Sequence, residues 1–117
     1  MKTQLDFSAE TAVVSALAAL AQTSRLRVFR LLVGTGPSGL CPGQIAETLE
    51  IPANSLSFHL KELHHAGLIY QQREGRFLRY RADMPAMKEL IDFMTAHCCN
   101  GEHCAGMPEL DCAATTS

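Results

Sequence analysis

The chain has 117 residues, a hydrophobic share of 47% and a formal net charge of −2 at pH 7. This length suits one domain rather than two, and the charge excludes a uniformly basic nucleic-acid-binding chain. No run approaches the roughly 18 apolar residues that span a bilayer, and the first residues contain no apolar signal core. We therefore expect a cytoplasmic protein with no membrane partner, whose five cysteines stay reduced.

Hydrophobic periodicity predicts a mainly α fold with a small β-hairpin, in the order α-α-α-α-β-β-α. A first helix is predicted over residues 9–21, and a second follows a cap at Thr23 or Ser24 and ends near residue 33. The second helix is expected to bury Leu26, Phe29, Leu32 and Val33. We expect the first and last helices to form the interface of a homodimer, with packing inside one chain as the alternative for the first helix.

Two short helices joined by a tight turn follow a glycine-rich loop and form a helix-turn-helix pattern. Pro42 suits the first turn of a helix over residues 42–49, and a longer helix is predicted over residues 53–66. Gly67 is the expected stop of this longer helix. A last helix is predicted over residues 85–97.

A hairpin is predicted between these helices, with strands at residues 68–73 and 76–81 and a bend at Glu74-Gly75. A hairpin directly after a recognition helix is a wing. Residues 51–82 carry five basic and two acidic side chains, whereas residues 83–117 carry one basic and six acidic ones. This uneven distribution favours one positive, DNA-facing surface despite the negative total.

The helix over residues 53–66 is predicted to read DNA, because its leucines face inward and its other face is open to a major groove. From this helix we predict DNA contacts by Asn54, Ser55, Ser57, Phe58, His59 and Lys61. Lys61 is expected to meet phosphate, and a buried, hydrogen-bonded structural role is the alternative for His59. From the wing we predict phosphate or minor-groove contacts by Arg73, Arg76 and Arg79, with simple solubility as the alternative.

Three cysteines, Cys98, Cys99 and Cys104, lie within seven residues near the end of the last predicted helix. Neighbours on a helix point about 100° apart, so Cys98 and Cys99 cannot both face one ion while the helix stays regular. Asn100-Gly101 is predicted to end the helix and return Cys104 to the pair. Three such thiolates suit a soft, thiophilic ion better than a structural disulfide. A redox switch through a disulfide from Cys104 is an open alternative.

Several runs together resemble the ArsR/SmtB metalloregulators. The recognition-helix signature is resembled by Ser55 through Ile69, the wing by Arg73-Glu74-Gly75-Arg76 with Tyr80, and the early helix pair by Leu20-Ala21 and Ser24-Arg25-Leu26-Arg27. The resemblance covers about residues 10–97. It implies a homodimeric winged helix-turn-helix repressor that releases operator DNA when it binds a metal or metalloid.

The resemblance also bears on the inducer. An arsenic site on that family's third helix uses two cysteines separated by one residue. Here Cys41 matches the first cysteine, but Gly43 stands where the second would be, so we expect this site to be absent. Cys98, Cys99 and Cys104 look like the alternative arsenic site of some members. Arsenic(III) forms three bonds and keeps a lone pair, so three thiolates suit it, and antimony(III) likewise. Zinc or cadmium with a histidine as fourth ligand is the alternative.

These features predict an arsenic(III)-responsive transcriptional repressor with arsenite as inducer and no organic cofactor. Residues 1–104 are expected to form the DNA-binding and dimerisation domain, and residues 105–117 a flexible tail. No phosphate-cradling glycine loop, nucleophile elbow or HExxH pair occurs, so we do not expect an enzyme. The alternative function is a redox-sensing or zinc- or cadmium-responsive DNA-binding regulator.

Overall fold

The computed structural model describes residues 7–96 and confirms the predicted fold class. The elements are α1 (Phe7–Leu20), α2 (Thr23–Thr35), a short 3-10 turn (Gly36–Ser38), α3 (Pro42–Leu49), α4 (Ala53–His65), β1 (Ile69–Glu74), β2 (Phe77–Ala82) and α5 (Met84–Thr95). No helix in this part of the chain is both long enough and apolar enough to cross a membrane. The predicted boundary at residue 104 lies outside the described residues.

The cap of helix α2 is Gln22, one residue before the two predicted caps, so this prediction was wrong. Gln22 has an extended backbone, and its side-chain Oε1 accepts a hydrogen bond from the backbone N–H of Arg25 at 2.9 Å. Thr23 and Ser24 therefore lie inside the first turn, because a glutamine side chain satisfies the free N–H that the shorter residues were expected to satisfy. The helix continues to Thr35, where Gly36 adopts a positive φ.

The core lies between α2 and the helix-turn-helix formed by α3 and α4. Side chains with almost no exposed surface come from all three helices: Val28, Phe29, Leu32, Ile45, Leu56 and Leu63. Leu26 was expected in this core but is 43% exposed, whereas Val28 is fully buried. The apolar pattern of α2 fits more than one face, and the folded chain buries the face that carries Val28.

Gly67 ends α4 and turns the chain into the wing, as predicted. Its φ is +80°, its backbone N–H donates to the carbonyl of His64, and the N–H of Leu68 donates to the carbonyl of Leu63 at 3.1 Å. This pair of bonds is a Schellman motif, which favours glycine at the left-handed position. Because Leu68 and Ile69 are then buried, the base of the wing is joined directly to the core.

The wing is an antiparallel pair in which Ile69 opposes Ala82 and Glu74 opposes Phe77. The turn therefore consists of Gly75 and Arg76, one residue later than the predicted bend. Opposed residues share a face and successive residues alternate faces. One face of the wing carries Ile69, Gln71, Arg73, Leu78, Tyr80 and Ala82, and the other carries Tyr70, Gln72, Glu74, Phe77, Arg79 and Arg81.

The base of the wing is fastened to the loop before α3. Leu40 and Tyr80 exchange two backbone hydrogen bonds, of 3.0 and 2.8 Å. Gly39 precedes this bridge with a φ of +64°, and a Cβ atom there would stand 2.5 Å from the carbonyl oxygen of Tyr80. Only glycine fits this position without a shift of the strand, so the loop and the wing are positioned together.

Helix α5 is capped by Asp83, whose side chain accepts a hydrogen bond from the backbone N–H of Ala86 at 3.0 Å. It ends at Thr95, two residues before the predicted end, because Ala96 has a non-helical ψ of 136°. The helix therefore ends before Asn100-Gly101, the pair that was expected to end it. No α5 residue is fully buried, although the helix contacts α1.

Candidate nucleic-acid interface

Helix α4 presents the predicted DNA-reading residues on its solvent face. Asn54, Ser55, Ser57 and Lys61 are exposed, and the Phe58 side chain is 55% exposed. The Asn54 Oδ1 accepts a hydrogen bond from the backbone N–H of Ser55 at 2.9 Å. The side-chain N–H₂ group of Asn54 takes no part in this bond. This surface offers amide, hydroxyl and ammonium groups beside one aromatic ring, a combination that can contact base edges, phosphates and a thymine methyl.

His59 lies at the margin between this surface and the core. It is half-buried, and its Nδ1 atom is buried with no hydrogen-bond partner among residues 7–96. The hydrogen-bonded structural role given as the alternative is therefore not found in this part of the chain. Burial, followed by the positive charge of Arg25, lowers the pKa of the His59 imidazole. Arg25 itself donates from Nε to the carbonyl of Ala19 at 2.7 Å. Burial and the Arg25 charge both favour the neutral form of the imidazole.

The three predicted wing arginines have different surroundings. Arg73 and Arg76 are exposed, and within residues 7–96 neither guanidinium has an ion-pair or hydrogen-bond partner. Arg79 donates from Nε to Glu74 Oε1 at 3.0 Å and from Nη1 to the carbonyl of Ser38 at 3.3 Å. Arg73 and Arg76 are therefore available to an external anion, whereas Arg79 is engaged within the fold.

Glu74 forms ion pairs with Arg79 and Arg81. All three lie on the face of the wing that also carries Tyr70 and Phe77, which we call the outer face. Hydrogen bonds from Arg79 and Arg81 lower the pKa of the Glu74 carboxyl. Arg81 also donates from Nε to the carbonyl of Pro37 at 2.6 Å and from Nη1 to Gln72 Oε1 at 2.7 Å. These bonds fasten the wing to the same loop as the Leu40 bridge, so Arg79 and Arg81 stabilise the position of the wing.

An open cleft of about 400 Å³ lies between α4 and the face of the wing that carries Gln71, Leu78 and Tyr80, which we call the inner face. Its polar lining consists of Ser57, Lys61, His64 and Gln71, and its apolar lining includes Leu60 and Tyr80. Burial raises the pKa of the Tyr80 phenol, so this group stays protonated. Sequence reasoning singled out Ser57 and Lys61 but missed His64 and Gln71.

A helical signal could have identified His64, because residues 57, 61 and 64 lie at i, i+4 and i+7 on one face. Gln71 could not have been identified in this way, because its position opposite α4 depends on the angle of the wing.

The predicted thiol site cannot be placed on this framework. Cys98, Cys99 and Cys104 lie outside the described residues. Cys41 is half-buried at the start of α3, with its backbone N–H bonded to Gln44 Oε1 at 2.9 Å. Among residues 7–96, no three histidine, cysteine or acidic side chains stand close enough to hold a metal ion.

Comparisons with known proteins agree with this architecture. A family model described as a helix-turn-helix domain matches residues 20–72. The HTH-type transcriptional regulator YbzH of Bacillus subtilis is 30% identical over 88 residues, which are 65% of this chain and 88% of that protein. The arsenic resistance transcriptional regulator ArsR1 of Pseudomonas putida is 31% identical over 75 residues, which are 64% of this chain and 56% of the relative.

A solved structure gives the same result. The winged helix-turn-helix DNA-binding domain Mb0332 of Mycobacterium bovis, described as homodimeric, has a TM-score of 0.61 and 26% identity, and the alignment covers 89% of this chain and 98% of that one. These matches are to DNA-binding transcriptional regulators and not to enzymes. The order of elements, the helix-turn-helix core, the anchored wing and these matches lead to one conclusion: the chain belongs to the ArsR/SmtB family of winged helix-turn-helix transcriptional regulators.

Proposed function

We propose that this protein is a homodimeric repressor that holds operator DNA and releases it when arsenic(III), or antimony(III), binds Cys98, Cys99 and Cys104. The observation that carries the DNA-binding part is the juxtaposition of an exposed polar face on α4 with Arg73 and Arg76, the two wing arginines that have no partner within residues 7–96. A helix of this kind fits a major groove, and the arginines supply the positive charge that phosphates and a narrow minor groove attract.

Dimerisation is supported by the apolar surface that α1 and α5 leave exposed. Val14 is 64% exposed, Leu17 40% and Met94 59%, and all three lie on the two helices predicted to form the interface. A second copy covering this surface would remove it from water. A two-fold dimer would place two α4 helices about 34–36 Å apart, which is one turn of DNA.

The metalloid part is supported by chemistry and by position in the chain. Three thiols suit the three bonds of arsenic(III), and Cys98 follows the end of α5 by three residues. A ligand bound beside a helix of the dimer interface can change the distance between the α4 helices of the two protomers. The change in DNA affinity expected from such coupling is about 5- to 150-fold, equivalent to roughly 1–3 kcal/mol.

The test is an arsenite titration of the complex between the full chain and DNA from upstream of its own coding region, under strict reduction. Wild type should release the DNA, whereas Cys98→Ser, Cys99→Ser and Cys104→Ser should each bind it and fail to release it. Cys41→Ser and Cys112→Ser are matched controls and should release it as wild type does.

Two results would contradict the proposal. Release from all three variants would remove the proposed site. If a thiol oxidant releases the DNA and arsenite does not, the protein is a redox-sensing regulator rather than a metalloid-responsive one.

A further inference from the structure

The inference concerns the cleft between α4 and the wing, and it rests on the proposed DNA binding. We propose that this cleft binds one sugar-phosphate strand of the operator, and that His64 and Gln71 contact this strand beside Lys61. Adjacent major and minor grooves are separated by one sugar-phosphate strand, so a protein that inserts a helix into one and a wing into the other must straddle that strand.

The chemistry of the cleft fits a polyanion. Lys61 supplies a cation, and Ser57, His64 and Gln71 supply groups that can donate hydrogen bonds. No lining residue is acidic. Most protein hydrogen bonds to DNA go to phosphate and sugar and come from side chains of these types.

The shape of the cleft favours a continuing polymer over an enclosed small molecule. It is open rather than closed, unlike the cavities that surround most of a small ligand, so a strand can enter at one end and leave at the other. Arg73 lies on the same wing face as Gln71, two residues nearer the tip. A strand leaving the cleft at that end would meet the exposed Arg73 guanidinium next.

The outer face of the wing supplies a contrast. Arg79 and Arg81 each form an ion pair with Glu74 there, and none of the three lines the cleft. The inner and outer faces therefore differ in available charge, although they belong to the same two strands. This difference permits a test in which one charge change is placed on either face.

The first experiment compares Gln71→Glu with Gln72→Glu by fluorescence anisotropy on the upstream DNA. Gln71→Glu puts a carboxylate against phosphate and should weaken binding by about tenfold or more, the scale of one hydrogen bond to a charged group. Gln72→Glu adds the same charge on the outer face, where Arg81 already donates to the residue, and should change binding less than about threefold. Equal weakening by both substitutions would overturn the proposal, because net charge alone would then explain it.

The second experiment compares His64→Ala with His65→Ala, an adjacent exposed residue on α4 that does not line the cleft. His64→Ala should weaken binding by about three- to tenfold, the net effect of one hydrogen bond, and His65→Ala should not. Neutralising operator phosphates singly with methylphosphonate should then identify one phosphate whose neutralisation weakens wild type but not the His64→Ala protein. Equal sensitivity of both proteins at every phosphate would refute a direct contact.

Failure of this inference and failure of the proposed function give different results. If the cleft variants bind like wild type while arsenite still releases the DNA, only the cleft assignment falls. If arsenite is inert but the cleft variants bind more weakly, only the inducer falls. If wild type binds no DNA, both fall.

Discussion

The position of the wing depends on Gly39, and Gly39→Ala should therefore destabilise the protein. Gly39 combines a φ of +64° with a ψ of −173°, a region that is essentially restricted to glycine, and any other residue there costs about 1–3 kcal/mol. The new Cβ would also stand 2.5 Å from the Tyr80 carbonyl oxygen. Relieving that clash threatens the two backbone hydrogen bonds between Leu40 and Tyr80, each worth about 0.5–1.5 kcal/mol.

The sum is a decrease of about 2–6 kcal/mol in the free energy of unfolding, a large part of the usual 5–15 kcal/mol. Urea denaturation at one fixed protein concentration measures it, because the stability of a dimer depends on concentration. Gly34→Ala in α2 is the control. Apart from its chain neighbours and the backbone of its own helix, no atom of residues 7–96 stands within 4 Å of a Cβ added there, and alanine should stabilise the helix by up to about 1 kcal/mol. If the free energy of unfolding of Gly39→Ala lies within about 0.5 kcal/mol of the wild-type value, as for an ordinary surface substitution, the contact between Gly39 and Tyr80 does not hold the wing in place.

Two further predictions concern DNA affinity and pH. Arg76→Ala should weaken binding to specific and non-specific duplexes alike and reduce the slope of log affinity against log salt by about 0.9 for each phosphate that the arginine neutralises; an unchanged slope would remove Arg76 from the phosphate contacts. For His59, the folded state lowers the pKa of the imidazole below 6.5, so below pH 6.5 the unfolded chain binds more protons and stability falls with falling pH. His59→Gln should reduce the decrease in unfolding free energy between pH 7.5 and pH 5.5, and an identical decrease in both proteins would show that His59 does not titrate differently on folding.

Local sequence signals predicted those features that depend on near neighbours. The bounds of α3 at Pro42–Leu49 follow from a proline at the first turn and a short apolar stripe, and the end of α4 follows from Gly67, because a left-handed cap favours glycine. The strands and the bend of the wing were predicted to within one residue, since the turn of a hairpin is set by the residues immediately flanking it.

The tertiary structure decided which of several equivalent side chains has which task. Arg73, Arg76 and Arg79 look alike in sequence, but the register and the Ser38 carbonyl, 41 residues away, commit only Arg79 to the fold. Val28 rather than Leu26 is buried, although both are apolar residues of α2. Gln71 lines a cleft with α4, and the Leu40–Tyr80 bridge fastens the wing to the loop before α3. Periodicity describes one element at a time, whereas these assignments come from contacts between residues far apart in the chain.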